Sequence, residues 1–235
     1  MKFANIVVLT GAGISAESGL KTFRDNDGLW ENHRLEDVAT PEAFARDPER
    51  VYRFYNLRRA QLTSPAVKPN AAHKALAKLE QGHPGKVLIV TQNVDDLHER
   101  AGSQHVLHMH GQLLRARCCV SHKSFVIRDN FDENSLCTCC HPGNKIRPDI
   151  VWFSEVPNYM SEIEQALCQA DLFISIGTSG TVYPAADFVR QAKQFGAHTV
   201  ELNLEASRGG SEFSECYYGL ASEIVPRYIS QLLKG

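Results

Sequence analysis

The sequence predicts an α/β protein: a Rossmann-like parallel sheet with helices on both faces, plus a small cysteine-rich module. Two observations support this prediction. Five short, almost continuously apolar runs alternate with longer amphipathic segments, which is typical of buried parallel strands joined by covering helices. One stretch, residues 113–147, has no clear period and contains five of the seven cysteines.

The positions of the elements follow from the apolar periodicity. The predicted strands are residues 6–10, 87–91, 106–109, 172–176 and 199–202. The predicted helices are residues 42–61, 71–80, 161–169, 185–195 and 222–233. We expect one domain over residues 1–235, in which a Rossmann-like part (1–112 and 148–235) is interrupted by the inserted module (113–147).

Composition excludes several classes of protein. The chain has 235 residues, of which 43% are hydrophobic and 22% charged, as in ordinary globular enzymes. Its net charge of -2 provides no basic field, so we expect no nucleic-acid partner. No apolar run approaches the roughly 20 residues that span a bilayer, and the short stretch after Lys2 lacks a signal-peptide cleavage site. We expect a cytoplasmic protein with no membrane partner; the sequence leaves its oligomeric state open.

A glycine-rich turn follows the first predicted strand. Gly11, Ala12 and Gly13 end the apolar run, and further small residues lead into a helix. Small residues let backbone N–H groups approach a ligand, and a helix N-terminus favours negative charge, so the turn predicts a pyrophosphate site. The glycine spacing departs from G-x-G-x-x-G, which argues against a hydride-transfer dehydrogenase. Phe23 and Arg24 follow closely and suggest that this loop also takes part in chemistry.

Amide and carboxylate side chains follow the second predicted strand. Gln92, Asn93 and Asp95 stand where open α/β sheets bind ligands, at the carboxyl end of a strand. Their donors and acceptors suit an amide-bearing ring such as nicotinamide. The alternative is that Asn93 or Asp95 only caps a helix. The residues alone leave both interpretations open.

Two histidines end the third predicted strand. His108 and His110 are both candidates for a general base, because an unperturbed histidine has a pKa of ~6.5. The strand period of two places both on the same side, so the pattern does not choose between them. A packing or surface role is the alternative for either one.

Two more strand ends carry groups that can contact a ligand. Each is explained by ordinary turn chemistry when taken alone, but four such loops on one rim of a sheet predict a binding site. The two turns consist of Gly177, Thr178 and Ser179, and of Asn203, Leu204 and Glu205.

Together these motifs resemble the sirtuins, the family of NAD-dependent protein deacylases. The resemblance runs nearly end to end and rests on residues 11–19 (GAGISAESG), 22–24 (TFR), 91–95 (TQNVD), 110–111 (HG) and 177–179 (GTS), with Asn203. It implies that His110 is the catalytic base, that NAD is a co-substrate, and that the partners are acyl-lysine proteins or peptides.

The resemblance also implies which residues bind NAD. The cofactor-binding loop would contribute Gly11, Ala12, Gly13, Glu17, Thr22, Phe23 and Arg24. The nicotinamide ribose and carboxamide would be held by Gln92, Asn93 and Asp95. The adenosine half would be held by Gly177, Thr178, Ser179, Asn203, Leu204 and Glu205, with Ala221 near the adenine.

The implied reaction consumes NAD. Nicotinamide leaves as the acyl-lysine carbonyl oxygen attacks the anomeric carbon of the ribose. His110 then takes a proton from a ribose hydroxyl, which attacks the acyl carbon, and O-acyl-ADP-ribose and free lysine are released. The loop around Phe23 would exclude water, which otherwise diverts the reaction to NAD hydrolysis.

Tyr55 and Arg58 bear on which acyl group is removed. They stand three residues apart on one predicted helix and so share a face, which by default is a solvated surface. The pair resembles the Tyr-x-x-Arg of the sirtuin branch that prefers acidic acyl groups, where arginine can hydrogen-bond a terminal carboxylate. We expect desuccinylase and demalonylase activity, with deacetylation retained. The segment resembling the strand that pairs with the substrate peptide is Val151, Trp152 and Phe153.

The resemblance further implies one structural zinc held by two Cys-x(2–4)-Cys pairs. The first pair is irregular because Cys118 and Cys119 are adjacent, and adjacent cysteines do not easily bind one tetrahedral ion together. A degenerate module without metal is the alternative. The expected ligands are Cys118, Cys137 and Cys140, with a fourth from His122, Cys139 or water.

Two other functions remain open at this stage. A mono-ADP-ribosyltransferase or NAD glycohydrolase would use the same pocket with another nucleophile or water. An NAD-sensing binding module would have no turnover. The Tyr55–Arg58 pair and His110 favour the deacylase, since a sensor needs neither.

Overall fold

The computed structural model describes residues 3–20, 29–30, 33–208 and 210–234; the predicted loop residues Thr22, Phe23 and Arg24 lie outside these ranges. Its strands are β1 (Asn5–Thr10), β2 (Leu29–Trp30), β3 (His33–Arg34), β4 (Lys86–Thr91), β5 (Val106–His108), β6 (Gly111–Cys118), β7 (Ser124–Val126), β8 (Ile146–Ile150), β9 (Leu172–Ile176), β10 (His198–Asn203) and β11 (Glu215–Tyr218). Its α-helices are α1 (Leu35–Val38), α2 (Pro41–Arg46), α3 (Pro48–Leu62), α4 (Ala71–Gly82), α5 (Leu97–Ala101), α6 (Met160–Gln169), α7 (Phe188–Gln194) and α8 (Ala221–Lys234).

A parallel sheet forms the centre of the fold, in the order β11-β10-β9-β1-β4-β5. Alternate residues of β1 face opposite layers: Val8 packs in the cluster that includes α4 and α8, and Val7 in the cluster that includes α6 and α7. Burial on both faces explains the continuous apolar runs. The predicted parallel sheet with helices on both faces is therefore confirmed, and each predicted strand agrees with the structure to within one residue at either end.

One predicted element is wrong, and one strand of the parallel sheet was not predicted. The single helix predicted over residues 42–61 is two helices, because Pro48 begins α3 and the side chain of Asp47 caps it by accepting from the Arg50 amide at 3.0 Å. The edge strand β11 was not predicted, because its sequence is polar and aromatic and its residues are only partly buried.

The cysteine-rich segment packs against helices that precede β4 in the chain. Strands β7, β6 and β8 form an antiparallel sheet, and residues of α3 pack against it in two buried clusters. The Tyr52 hydroxyl donates to the Ile146 carbonyl at 2.6 Å, and the Asn56 amide donates to the Phe131 carbonyl at 2.9 Å. Residues 35–62 therefore share a buried core with the cysteine-rich strands, whereas the predicted module consisted of residues 113–147 alone. In the described part of the chain, no helix has the length and apolar character needed to cross a bilayer.

Two turns touch through their backbones at the carboxyl edge of the parallel sheet. The Gly13 amide donates to the Gly177 carbonyl at 2.9 Å, and a Cβ on Gly177 would lie 2.5 Å from the nitrogen of Ile14. Gly177 also has a φ of 62°, in the left-handed region that favours glycine. Glycine is required here by both space and conformation.

Gly177→Ala should therefore lower the free energy of unfolding by more than the conformational penalty of a left-handed residue alone. We expect a loss of about 2–5 kcal/mol in the free energy of unfolding, from left-handed strain plus overpacking. The matched control is Gly196→Ala, because Gly196 has a φ of 91° but no atom within 4 Å of a built Cβ. The control should lose about 1–2 kcal/mol in urea denaturation. Equal losses in the two variants would contradict the close-approach explanation.

Candidate active site

The predicted ligand turns converge at the carboxyl edge of the sheet, where the amides of the first two glycines bind carbonyl groups of the protein. The Gly11 amide donates to the Ile176 carbonyl at 3.0 Å, and the Gly13 amide to the Gly177 carbonyl. Both N–H groups are thus used inside the protein. The small residues here also let two turns approach each other, and binding of a pyrophosphate at this turn stays a prediction.

A buried hydrogen-bond network joins the glycine-rich turn to the turn after β4. The Asn93 amide donates to the Gly11 carbonyl at 3.1 Å and to the Ser15 hydroxyl at 3.2 Å. The Ser15 hydroxyl donates to the Asp95 carboxylate at 2.9 Å. The other Asp95 oxygen accepts from the amide of Leu97, the first residue of α5, at 3.0 Å. The N-cap position itself is Asp96, so neither Asn93 nor Asp95 is the N-cap residue of this helix. Burial raises the pKa of Asp95, while the bonds from Leu97 and Ser15 oppose this shift.

Two buried histidines, His73 and His98, lie next to this network. Neither of them, nor Ser15, was predicted as a site residue. His73 Nε2 lies 3.4 Å from the Ser15 hydroxyl, and His98 Nε2 lies 3.0 Å from the Thr10 hydroxyl. Their rings are 5.0 Å apart. Burial lowers the pKa of His73 to about 4 and holds the pKa of His98 well below its usual range. Both are therefore neutral at physiological pH. Isolated helical histidines gave no pattern that could have identified them.

The structure separates the two candidate bases. His108 is buried and uses both ring nitrogens, with Nε2 2.6 Å from Glu99 and Nδ1 3.3 Å from the Asn93 carbonyl. His110 lies beyond the end of β5, and its Nδ1 is 3.2 Å from the Gln92 carbonyl. The prediction that both lie on one strand face is wrong, because β5 ends at His108.

The contact with Gln92 defines the chemistry that His110 can perform. A carbonyl only accepts, so Nδ1 carries the proton in this bond and Nε2 of the neutral ring is an acceptor. Burial lowers the pKa of His110, while the bond to the Gln92 carbonyl partly opposes this effect. These two effects favour a neutral His110 ring with Nε2 as an acceptor at the rim of the sheet.

The turns after β9 and β10 are held together by a buried amide. The Asn203 side chain donates to the Thr178 carbonyl at 2.8 Å, and the Gly177 amide donates to the Leu202 carbonyl at 3.0 Å. Ser179, which follows Thr178, is half-buried. Leu204 and Glu205, which were also predicted to bind the cofactor, are exposed. Asn203 therefore positions the turn that would face a ligand.

Glu17 contacts the start of α8, which the sequence did not indicate. Its carboxylate accepts from the Ser222 amide at 2.9 Å and from the Ser222 hydroxyl at 2.6 Å. Ser222 follows Ala221 at the start of α8, where an acidic group stabilises the helix N-terminus. The predicted cofactor residues Glu17 and Ala221 are thus brought together by a helix cap.

Tyr55 and Arg58 lie on α3 in different surroundings. Tyr55 is fully buried, and its hydroxyl accepts from the indole nitrogen of Trp152 at 2.9 Å. Arg58 is half-buried, with its guanidinium carbon 5.3 Å from the centre of the Phe54 ring. The default interpretation of this helix face as a solvated surface is therefore wrong for Tyr55.

The segment predicted to be a peptide-pairing strand is irregular, because β8 ends at Ile150. The Val151 amide donates to the His110 carbonyl at 2.9 Å, the Trp152 amide to Glu155 at 2.8 Å, and the Phe153 amide to the Ala39 carbonyl at 3.0 Å. The prediction of a strand at 151–153 is wrong. Pairing with a peptide stays a prediction, and here it would have to use carbonyl groups.

Four thiols form a cluster between β6 and the turn before β8. The Sγ atoms of Cys118, Cys137, Cys139 and Cys140 all lie within 4.8 Å of one another. The amides of Val120 and Ser121 approach the Cys118 sulfur at 3.4 and 3.3 Å, which favours a thiolate.

The geometry of the cluster fits a zinc ion. A tetrahedral site with Zn–S bonds of ~2.3 Å separates its sulfurs by about 3.8 Å. The Cys118–Cys140 and Cys139–Cys140 sulfur distances are 3.8 and 3.9 Å. Cys139 is therefore placed to supply the fourth ligand. The expectation that adjacent cysteines do not share one ion fits Cys118 and Cys119, because Cys119 lies outside the cluster, but it does not fit Cys139 and Cys140. Bound zinc would tie β6 to the turn at 137–140.

Comparison with known proteins agrees with this geometry. The sequence profile of the Sir2 family matches residues 11–184. The chain is 60% identical over 232 residues to the NAD-dependent protein deacylase of Pasteurella multocida strain Pm70, covering 99% of each chain. It superposes on a Sir2 homologue in complex with NAD with a TM-score of 0.88 at 38% identity, covering 99% of this chain and 91% of that one. It superposes on Sir2 bound to an acetylated peptide with a TM-score of 0.83 at 30% identity, covering 98% and 94%.

The chain therefore belongs to the Sir2 family, the sirtuins. It has the sirtuin fold, with a Rossmann-like sheet and a cysteine cluster placed for zinc. The resemblance drawn from the glycine turn, the 91–95 motif and His110 is confirmed at the level of the family.

Loss of one clustered thiol should remove the metal. Cys137→Ser should reduce the zinc bound per purified chain from about one ion to nearly none and lower the free energy of unfolding, because metal binding contributes to folding. The matched control is Cys119→Ser, because Cys119 adjoins Cys118 but lies outside the cluster. Zinc measured by atomic emission should stay bound in the control. Equal loss in both variants, or no zinc in the unsubstituted protein, would contradict the assignment.

Proposed function

We propose that this chain is an NAD-dependent protein-lysine deacylase that removes succinyl, malonyl and acetyl groups. One water would be consumed, and the products would be nicotinamide, O-acyl-ADP-ribose and free lysine. The observation that carries the proposal is the neutral His110, held by the Gln92 carbonyl beside the Asn93–Ser15–Asp95 network. The name of the Pasteurella relative as a deacylase supports the same activity.

In this proposal each residue at the rim has a defined task. NAD would enter as a co-substrate and supply the electrophilic ribose carbon. His110 Nε2 would accept the proton of a ribose hydroxyl and so generate the oxygen nucleophile that attacks the acyl carbon. Gln92 would keep Nδ1 protonated throughout this transfer, and Asp95 and Asn93 would orient the nicotinamide half.

The acidic acyl preference is proposed on the chemistry of α3. Arg58 would donate to the terminal carboxylate of a succinyl or malonyl group, and Tyr55 would add a neutral hydroxyl. The two side chains are one helical turn apart, which suits a short dicarboxylic chain. An acetyl group lacks the carboxylate but not the reacting carbonyl, so deacetylation would continue.

The partners would be acylated peptides or proteins, as the structural likeness to Sir2 bound to an acetylated peptide suggests. A cytoplasmic location would suit the clustered thiols, because a reducing compartment keeps cysteines available for metal.

His110 should control the acid limb of the pH profile. Burial lowers its pKa below 6.5, so the neutral, active form persists to lower pH than in an exposed histidine. Activity should fall only as the pH drops through that lowered pKa, which places the acid limb of kcat/KM below pH ~6.5. His110→Asn should lower kcat by about 10²–10⁴-fold.

The control is His105→Gln, at an exposed histidine that contacts Glu80. It should leave both the acid limb and kcat in place. An acid limb that lies above pH ~6.5, or a His110→Asn variant with ordinary kcat, would contradict the role of His110.

Arg58→Met should change which acyl group is preferred. Removing a charge-assisted bond of roughly 1.5–3 kcal/mol should lower the succinyl/acetyl ratio of kcat/KM by about 10- to 100-fold. Arg53→Met is the matched control, because it removes an exposed arginine from the same helix. A ratio that Arg58→Met leaves unchanged would refute the proposed acyl specificity.

A further inference from the structure

We propose that Trp152 is a positioning residue for acidic acyl groups, because its indole N–H fixes the direction in which the Tyr55 hydroxyl donates. This inference rests on the proposed function, in which Tyr55 and Arg58 contact the acyl carboxylate. It goes further by naming a residue outside that pair that would set the specificity.

The hydrogen bond between Trp152 and Tyr55 has a fixed polarity. The indole nitrogen lies 2.9 Å from the Tyr55 hydroxyl, and both side chains are almost completely buried. An indole N–H can only donate, so the tyrosine oxygen must accept in this bond. The hydroxyl proton therefore points away from the indole and is directed to donate elsewhere. Burial also raises the pKa of Tyr55, which keeps that proton on the oxygen.

Trp152 is itself held on several sides. The Arg147 guanidinium carbon lies 3.5 Å from the centre of the indole ring, and Arg147 donates to Glu155 at 2.7 and 2.8 Å. Glu155 also accepts from the Trp152 amide at 2.8 Å and from Arg117 at 3.1 Å. The indole therefore has one orientation, and a rigid donor orients its acceptor more sharply than a mobile one.

The same segment connects the two ends of the proposed acyl site. Val151, which precedes Trp152, donates its amide to the His110 carbonyl at 2.9 Å. Trp152 contacts Tyr55, which lies on α3 three residues before Arg58. Residues 151–152 thus fix the His110 backbone and the Tyr55 hydroxyl relative to each other. A fixed distance between the proposed base and the proposed acyl pocket is needed if the site is to distinguish acyl groups by length and charge.

The alternative is that Trp152 contributes only packing to the buried cluster that also contains Tyr55 and Leu113. A packing role predicts a loss of stability and a similar loss of activity toward every acyl group. A positioning role predicts a change in specificity that depends on the Tyr55 hydroxyl. A double-mutant cycle separates the two.

The experiment compares Trp152→Phe, Tyr55→Phe and the double variant with NAD and matched succinyl- and acetyl-lysine peptides. Trp152→Phe should lower the succinyl/acetyl ratio of kcat/KM by about three- to tenfold, mainly through a higher KM for the succinyl peptide. In the Tyr55→Phe background the same substitution should change the ratio less than about twofold. An unchanged ratio in the first background, or equal falls in both, would overturn the inference.

If Trp152→Phe does not fold, benzothienylalanine at position 152 replaces the indole N–H with sulfur at nearly constant shape. It should give the same fall in the ratio, and an unchanged ratio would again overturn the inference. Arg58→Met separates this test from the proposed function. If Arg58→Met lowers the ratio and the loss of the indole N–H does not, only the role of Trp152 fails. If Arg58→Met leaves the ratio unchanged, the proposed acyl specificity fails, and the inference fails with it.

Discussion

The contact between the turn after β1 and the turn after β9 is the constraint on which the site depends. The backbones approach so closely that a Cβ on Gly13 would lie 2.7 Å from the α-carbon of Gly177. The ladder of the sheet continues past the strand ends through the bonds from Gly11 to Ile176 and from Gly13 to Gly177. This contact fixes the start of the 3-10 helix Ala12–Ser18, and with it Ser15, against the residues after β4.

Around that contact the protein builds a site from buried polar groups that are neutral or paired. Ser15 bonds both Asn93 and Asp95, and the low pKa of His73 keeps a neutral ring behind it. The hydrogen bonds among Ser15, Asn93 and Asp95 satisfy these three buried side chains, which makes this part of the site rigid. The same rigidity holds His110 in one tautomer through the Gln92 carbonyl. Among the described residues, the contact that orients the His110 ring is thus with a neutral carbonyl, which suits the role of base proposed for it.

The sequence predicted those parts of the fold whose cause is local. Buried parallel strands appear as apolar runs, and the glycine and 91–95 motifs are contiguous, so both could be identified. Partners distant along the chain could not: Trp152 and Tyr55 are 97 residues apart, and Glu17 and Ser222 are 205 apart. The close packing of the glycine turn against the turn after β9 could not be predicted, because small residues permit close packing against a loop as readily as against a ligand. Cys139 was only one of three options, since adjacency in sequence says little about where two thiols point.

The central claim is that NAD is consumed in step with removal of an acyl group from lysine. It is tested by incubating the protein with NAD and succinyl-, malonyl- or acetyl-lysine peptides while nicotinamide and deacylated peptide are both quantified. The account predicts equal amounts of the two products, negligible nicotinamide without peptide, and faster turnover of the acidic acyl groups. Nicotinamide release that is independent of the peptide would instead indicate NAD hydrolysis or ADP-ribosyl transfer. No turnover with any peptide would indicate a binding module. Either result would contradict the account.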